Sequence, residues 1–299
     1  MQAGRQVNWG RIAVVGLPYL WLLLFFAAPF LIVLKISFSE PMVAQPPYGP
    51  TWDTLDGIRS YFANLNTGNY LFLLQDPLYV TTYLNSLRIA LTATFITLLV
   101  GYPMAHAMAR APKSWQGPLL MLVILPFWTS FLIRVYAWIG ILKRDGLINL
   151  ALQSMGLIDQ PLVIHNTEIA VYIGIVYSYL PFMVLPLYSA LEKQDRSLLE
   201  AAADLGCRPW RAFWRVTFPL SLPGVAAGCF LVFIPSVGEF VIPELLGGAQ
   251  TQMIGRTLWN EFFANRDWPL ASAVAVVLLV VLVAPIMLFQ RMANKAGAG

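Results

Sequence analysis

Ser197-Leu198-Leu199-Glu200-Ala201-Ala202-Ala203-Asp204-Leu205-Gly206-Cys207-Arg208-Pro209-Trp210-Arg211-Ala212-Phe213-Trp214-Arg215-Val216-Thr217-Phe218-Pro219 lies between two long apolar runs. Ser197 stands where a helix cap is expected, and Glu200 follows at the capping-box spacing. Leu198, Leu199, Ala201, Ala202 and Leu205 continue the helix with apolar and small side chains. Gly206 permits a sharp turn that a β-carbon would resist. Pro209 suits the first turn of a second helix, which carries Trp210, Phe213 and Trp214 among Arg208, Arg211 and Arg215. Pro219 then marks the start of the next apolar run. The spacing predicts a compact helix-turn-helix whose apolar face is larger than a mere connection needs. Such a face either docks into another protein or rests on lipid headgroups, where Trp and Arg are also favoured.

The flanking runs decide the class. The chain has 299 residues, 58% hydrophobic and 11% charged, whereas soluble domains carry about 25% charged residues. Apolar runs near the ~20 residues that cross a bilayer predict an all-α polytopic membrane protein with six spanning helices, at roughly 12–36, 85–109, 117–136, 169–191, 220–244 and 269–290. The first run is longer than a signal peptide's ~7–15-residue apolar core and is expected to stay as an anchor. Placing the N-terminus in the cytoplasm puts Arg5, Arg11, Arg110, Lys113, Lys193, Arg196, Arg208, Arg211, Arg215, Arg291 and Lys295 inside, against only Glu192, Asp195, Glu200 and Asp204. That is the positive-inside bias, so both termini are expected in the cytoplasm. The net charge of +4 follows from this topology rather than from nucleic-acid binding.

The chain is accordingly expected to divide into residues 1–84 (tail, first span and a long extracytoplasmic segment), a permease core at 85–291 containing the 192–219 loop, and a tail at 292–299. A second outer segment, 137–168, carries Leu147, Leu150, Leu152, Met155 and Leu157. It is read as a short helix covering the neighbouring spans, with a helix lying on the membrane surface as the alternative. No internal repeat is visible, so a two-fold pathway requires a second chain. Cys207 and Cys229 have the spacing of neither a metal site nor a disulfide framework.

Glu200-Ala201-Ala202, then Gly206, then Val216-Thr217-Phe218-Pro219 resemble the cytoplasmic signature of permease subunits of ATP-binding-cassette importers. More narrowly the chain is similar to the putrescine/spermidine importer permeases, closest to the putrescine branch, over residues 12 to about 291. The carriers are Leu125-Pro126-Phe127-Trp128-Thr129-Ser130-Phe131-Leu132-Ile133-Arg134-Val135-Tyr136-Ala137-Trp138, then Phe233-Ile234-Pro235-Ser236-Val237-Gly238-Glu239-Phe240-Val241-Ile242-Pro243-Glu244-Leu245-Leu246-Gly247-Gly248, and Asn265-Arg266-Asp267-Trp268-Pro269. Val216 and Phe218 stand where the signature usually has Ile and Leu. The resemblance implies the type I ABC importer permease fold in the inner membrane. It implies a heterodimer with a second permease, two copies of an ATPase that binds ATP and Mg, and a periplasmic polyamine-binding protein. It assigns ATPase coupling to Glu200, Ala201, Ala202, Asp204, Gly206, Pro209, Trp210 and Pro219.

The chain itself is expected to be no enzyme and to hold no cofactor or metal. It has no Gly-x-x-x-x-Gly-Lys-Ser/Thr phosphate loop, and His106 and His165 form no His-Glu-x-x-His pair. Ionisable residues within spans are functional candidates, here Arg88, Arg134, Glu239 and Glu244. A diammonium cargo that sheds water needs carboxylates and aromatic faces. Glu239, Glu244, Tyr177, Tyr179, Trp128 and Phe240 are the candidate pathway residues. Two plainer readings stand beside this: Glu239 pairing with Arg134 or Arg256 to fix a helix end, and the Tyr172, Tyr179 and Phe182 stripe serving helix packing. Glu239 lies nineteen residues beyond Leu220, about 28 Å along a helix, which places it near the outer surface. Two other functions remain at this stage. One is the same architecture carrying ferric iron or an oxyanion. The other is an ion-driven secondary transporter, a class that commonly shows inverted repeats.

Overall fold

The computed structural model describes residues 9–296 except 53, 54, 64 and 196. Arg5 and Arg196, two of the bases assigned to the inner side, and residues 297–299 of the tail lie outside the described residues.

The chain opens with α1 (Trp9–Leu22), a wide π-helical turn (Leu23–Ala27) and α2 (Ala28–Ser37). The 37–84 connection is not irregular. It contains a two-stranded antiparallel pair, β1 (Glu40–Pro41) with β2 (Tyr48–Gly49), followed by α3 (Leu55–Ala63) and α4 (Gly68–Gln75). Next come α5 (Pro77–Arg110), α6 (Lys113–Ile124), a 3-10 turn (Leu125–Trp128), α7 (Phe131–Leu142) and α8 (Leu147–Ser154). α9 (Glu168–Glu192), α10 (Ser197–Asp204), α11 (Pro209–Ala212), α12 (Phe218–Val237), α13 (Val241–Leu246), α14 (Ile254–Trp259) and α15 (Trp268–Ala296) complete the chain. Four helical stretches among the described residues are long and apolar enough to cross a membrane: Val14–Ser37, Pro77–Arg110, Glu168–Glu192 and Pro209–Val237. A fifth is counted if the bent pair Lys113–Trp128 and Phe131–Ser154 is one span, and Trp268–Ala284 adds a shorter apolar stretch.

Two compact units result: residues 1–77 with 258–299, and residues 78–257. In the first, α2 packs along α15, and Lys35 near the end of α2 is buried. Its Nζ donates to the Pro50 carbonyl at 3.1 Å and lies over the rings of Tyr48, Trp52 and Tyr61, 4.4–5.5 Å from their centroids. A cation leaving water is compensated by these ring faces. In the second unit, α9 and α12 pack closely. A β-carbon at Gly228 would stand 2.7 Å from the Met183 sulfur and 3.2 Å from its carbonyl oxygen, so glycine sets this approach, as small residues do where helices meet in membranes.

Three expectations about the spans are corrected. The predicted helix at 117–136 is broken: Thr129 is extended, its hydroxyl donates to the Pro126 carbonyl at 2.7 Å, and the chain bends by 91°. The predicted helix at 220–244 ends at Val237, and Gly238–Phe240 separates it from α13. It also starts earlier than expected, because helix is continuous from Pro209 to Val237. Pro219 lacks an N–H and would break an ordinary α-helix. The turn at Phe213–Thr217 widens, and the Phe218 N–H bonds to Phe213, five residues back. The same device precedes Pro29, where the Ala28 N–H bonds to Leu23.

The 137–168 segment does contain a helix, α8. Asn149 is buried, donates to the Leu162 carbonyl at 3.0 Å and accepts from the Leu162 N–H at 2.8 Å. Leu147, Leu150, Met155 and Leu157 remain exposed.

Candidate functional site

The elbow at 197–217 is built from local signals. Gly206 has φ +72°, the left-handed conformation that closes a helix. Its N–H donates to Ala203 at 2.8 Å and the Cys207 N–H to Ala202 at 2.9 Å, the paired bonds of a Schellman turn. The N-terminal cap differs from expectation. Ser197 is already helical, and its N–H donates to Asp195 Oδ1 at 3.0 Å. Asp195 therefore does the capping, with a shorter reach than the Ser197–Glu200 box requires. Hydrogen bonds from Ser197 hold its carboxyl below the usual range.

Pro209 opens α11, and Trp210 stacks on Phe213 and meets Trp214 edge-on. Phe213 in turn meets Tyr102 of α5 edge-on, and the Tyr102 hydroxyl lies 2.9 Å from that of Ser221. The inner side of the elbow is thus braced against the spans. Its outer side is open: Leu205 is 87% exposed and Trp210 70%, and Glu200, Ala201 and Asp204 are exposed while Ala202 is half-buried. Pro219 sits in the first turn of α12. The continuous helix Pro209–Val237 makes a rod of 29 residues, about 43 Å long at ~1.5 Å per residue.

At the far end of that rod lies Glu239, which is buried. Its Oε1 accepts the backbone N–H groups of Val241 and Ile242 at 3.1 and 3.4 Å, and its Oε2 accepts the Tyr179 hydroxyl at 2.5 Å. Glu239 thus caps α13, since the first N–H groups of a helix lack partners within it, and it ties α13 to α9. A β-carbon at Gly255 would crowd the Gly238 carbonyl and stand 2.9 Å from the Glu239 carbonyl. Only glycine lets α14 abut this break. Ser86 of α5 accepts the Ile254 N–H at 2.7 Å, closing the far side.

Glu239 pairs with neither arginine. Arg256 forms an ion pair with Glu244. Arg134 lies over the rings of Phe127 and Phe131, 4.9 and 5.9 Å from their centroids, and its Nε and Nη1 are buried without a hydrogen-bond partner among the described residues. Phe127 meets Phe182 edge-on, and Phe182 lies 6.1 Å from Tyr179. The structure therefore joins Tyr179 to Glu239 and gathers Phe127 and Phe182 beside Tyr179. It places the other candidates elsewhere. Tyr177 meets Trp138, Trp128 is 73% exposed, Phe240 is half-buried on the break, and Glu244 is exposed with Arg256. Arg88 pairs with Glu168 at 2.8 Å. Sequence reasoning missed Asp195 and Gly255. The Asp195-x-Ser197 spacing of a short capping side chain was a usable signal for the first.

A multi-pass helical protein with a braced, exposed elbow is what the type I ABC importer permease fold provides, and the comparisons with known proteins place the chain there. Residues 9–296 match the family described as binding-protein-dependent transport system inner membrane component, and the chain belongs to that family, whose members are multi-pass inner membrane proteins. It is 43% identical over 281 residues to the spermidine/putrescine transport system permease protein PotB of Haemophilus influenzae, covering 94% of this chain and 93% of that one. It is 40% identical over 280 residues to the protein of the same name from Escherichia coli, covering 94% and 95%. Among solved structures, a bacterial alginate ABC transporter in complex with alginate pentasaccharide-bound periplasmic protein matches with a TM-score of 0.67 and 17% identity, covering 97% of this chain and 95% of that one. At that identity the likeness concerns the fold.

Proposed function

We propose that the chain is one permease of an ATP-driven, binding-protein-dependent polyamine importer, with putrescine as its foremost cargo. It pairs with a second, different permease above two copies of an ATPase that binds ATP and Mg, and a periplasmic protein delivers the cargo. Both termini face the cytoplasm. The strongest support for the cargo class is the 40–43% identity, over nearly the full length, to permeases named for spermidine and putrescine.

In this reading the elbow seats in the ATPase through Glu200, Ala201, Ala202, Asp204, Gly206, Pro209 and Trp210. Closure of the ATPase dimer moves the elbow, and the continuous helix behind it carries the movement to the Gly238–Phe240 break. The ATPase must bind one arrangement of the spans more tightly than the other, because a ligand shifts only states it distinguishes. Glu239 and Tyr179, with Phe240, Trp128, Tyr177 and Glu244, line or shape the cation route. Glu239 is fully engaged in capping α13, so it acts by holding the break in shape until a cargo ammonium competes for its carboxylate.

The test is ATP hydrolysis by the complete complex in proteoliposomes with putrescine, spermidine, ferric iron or molybdate on the binding-protein side. Stimulation by a polyamine that is lost on replacing Glu200 and Gly206 supports the reading. Stimulation by iron or molybdate alone overturns the cargo and leaves the architecture.

A further inference from the structure

Arg88, Arg256 and Arg134 differ in what compensates their charge. Arg88 pairs with Glu168 at 2.8 Å, and Arg256 pairs with Glu244. Arg134 forms no ion pair among the described residues, and its Nε and Nη1 are buried there without a hydrogen-bond acceptor. The groups that meet it are the faces of Phe127 and Phe131. A ring face attracts a cation but carries no net charge, and a guanidinium stays protonated in proteins. A full positive charge therefore stands here with no carboxylate against it. Such a charge is costly in a membrane segment. The residues that α7 buries are Val135 and Leu142, so its packing is apolar and does not require one.

The position of that charge gives it a use. Phe127 meets Phe182 edge-on, Phe182 lies beside Tyr179, and Tyr179 donates to Glu239. Arg134 and Glu239 thus stand at opposite ends of one chain of rings. A carboxylate and ring faces attract an ammonium, and they attract an inorganic cation for the same electrostatic reason. A route made of these groups alone would pass K⁺ down the membrane potential.

We propose that Arg134 is the electrostatic barrier of the cation route, turning back the inorganic cations that Glu239 attracts; this rests on the polyamine reading above. A fixed positive charge excludes cations from other membrane pathways in this way. The barrier is a field and needs no contact with the guanidinium. Burial of Nε and Nη1 strengthens it, because a low-dielectric surrounding screens a charge less than water does. ATP-driven rearrangement carries the cargo past the barrier, whereas a K⁺ ion has only the membrane potential behind it.

The complete complex in proteoliposomes tests this, with the ATPase facing outward and K⁺, chloride, sucrose, binding protein and putrescine in the lumen. ATP is added outside so that the route opens, and the release of K⁺, chloride and sucrose is followed separately from hydrolysis. The wild type is expected to retain K⁺. Arg134→Gln is expected to release K⁺ about tenfold faster, the order expected for one nearby unit charge at intermediate dielectric, with no rise in chloride or sucrose release. Arg134→Met is expected to do the same and can still cover the two rings if the glutamine variant fails to assemble. Arg134→Lys keeps the charge and is expected to retain K⁺. Unchanged K⁺ release in the neutral variants, or equal release from Arg134→Lys, overturns the barrier. Release of K⁺, chloride and sucrose together overturns it too, since that pattern is a packing defect. If the K⁺ pattern appears as expected but putrescine does not stimulate hydrolysis, the barrier stands and the polyamine reading falls.

Discussion

The two breaks at the ends of the Pro209–Val237 helix solve opposite problems. The elbow at Gly206 satisfies its own backbone with a Schellman turn and leaves its large side chains uncovered, Leu205 and Trp210 above all. The break at Gly238–Phe240 does the reverse. It draws a charged side chain inward and spends that charge on two backbone donors and a tyrosine. An exposed apolar face without a covering element marks an interaction surface, whereas a buried carboxylate with every donor in place marks a fixed joint. In the proposed reading, one end of the rod is gripped by the ATPase, and the other holds its geometry while the rod moves.

Substitutions separate the two ends. Trp210→Ala is expected to weaken ATPase association by about 2–4 kcal/mol, the scale of an aromatic hot spot, with no loss of thermal stability. Co-purification of the ATPase at graded salt, beside a melting curve, checks both halves. Glu239→Ala is expected to act the other way. It strands a tyrosine hydroxyl and two backbone N–H groups, so the permease should lose about 2–4 kcal/mol of stability while the ATPase stays bound. If Glu239→Ala instead melted normally and transported nothing, the carboxylate would serve the cargo rather than the joint.

Smaller effects sharpen the contrast. Gly206→Val forces a branched side chain into the left-handed region, at a cost of about 1–2 kcal/mol. Nothing stands within 4 Å of the added β-carbon, so the penalty is conformational, and cargo-stimulated hydrolysis should fall about tenfold with little change in expression. Tyr179→Phe removes one donor to Glu239 and should cost about 1 kcal/mol, seen as a lower unfolding midpoint. Glu244→Gln breaks an ion pair with partly exposed partners and should cost under ~1 kcal/mol, read as a small drop in the unfolding midpoint.

How far each end could be read from the sequence follows from how local its chemistry is. The elbow's turn residue, its second helix and its exposed aromatics were legible, because Gly206, Pro209 and Trp210 act within a few positions of each other. Its cap was misassigned because two short polar side chains, Asp195 and Ser197, compete for the same first turn. The π-helical turn before Pro219 was invisible, since residue types do not reveal which carbonyl a proline leaves unpaired. The bend after Trp128 was hidden because only Thr129 and Ser130 interrupt the apolar residues up to Ile133, and two small hydroxyl residues are tolerated within a span. The Glu239 joint joins residues 60 positions apart. Pro235 and Pro243 flank Glu239 and are helix-breaking residues, yet nothing in the sequence showed that Tyr179 rather than Arg134 would meet the carboxylate. Arg134 shows why: its guanidinium lies over two phenyl rings rather than against a carboxylate, and charge counting does not anticipate that.

The most direct test of the account concerns Leu205, the most exposed of the elbow's large apolar side chains. A Leu205→Cys variant in a Cys207→Ser background is labelled from the cytoplasmic side with a membrane-impermeant maleimide, with and without the co-assembled ATPase. The account predicts fast labelling of the permease alone and labelling about tenfold or more slower in the complex, as expected for a side chain buried at a docking interface. Slow labelling in the permease alone would mean that the elbow rests on lipid, and equally fast labelling in both would mean that the ATPase does not cover it; either result would contradict a docking role.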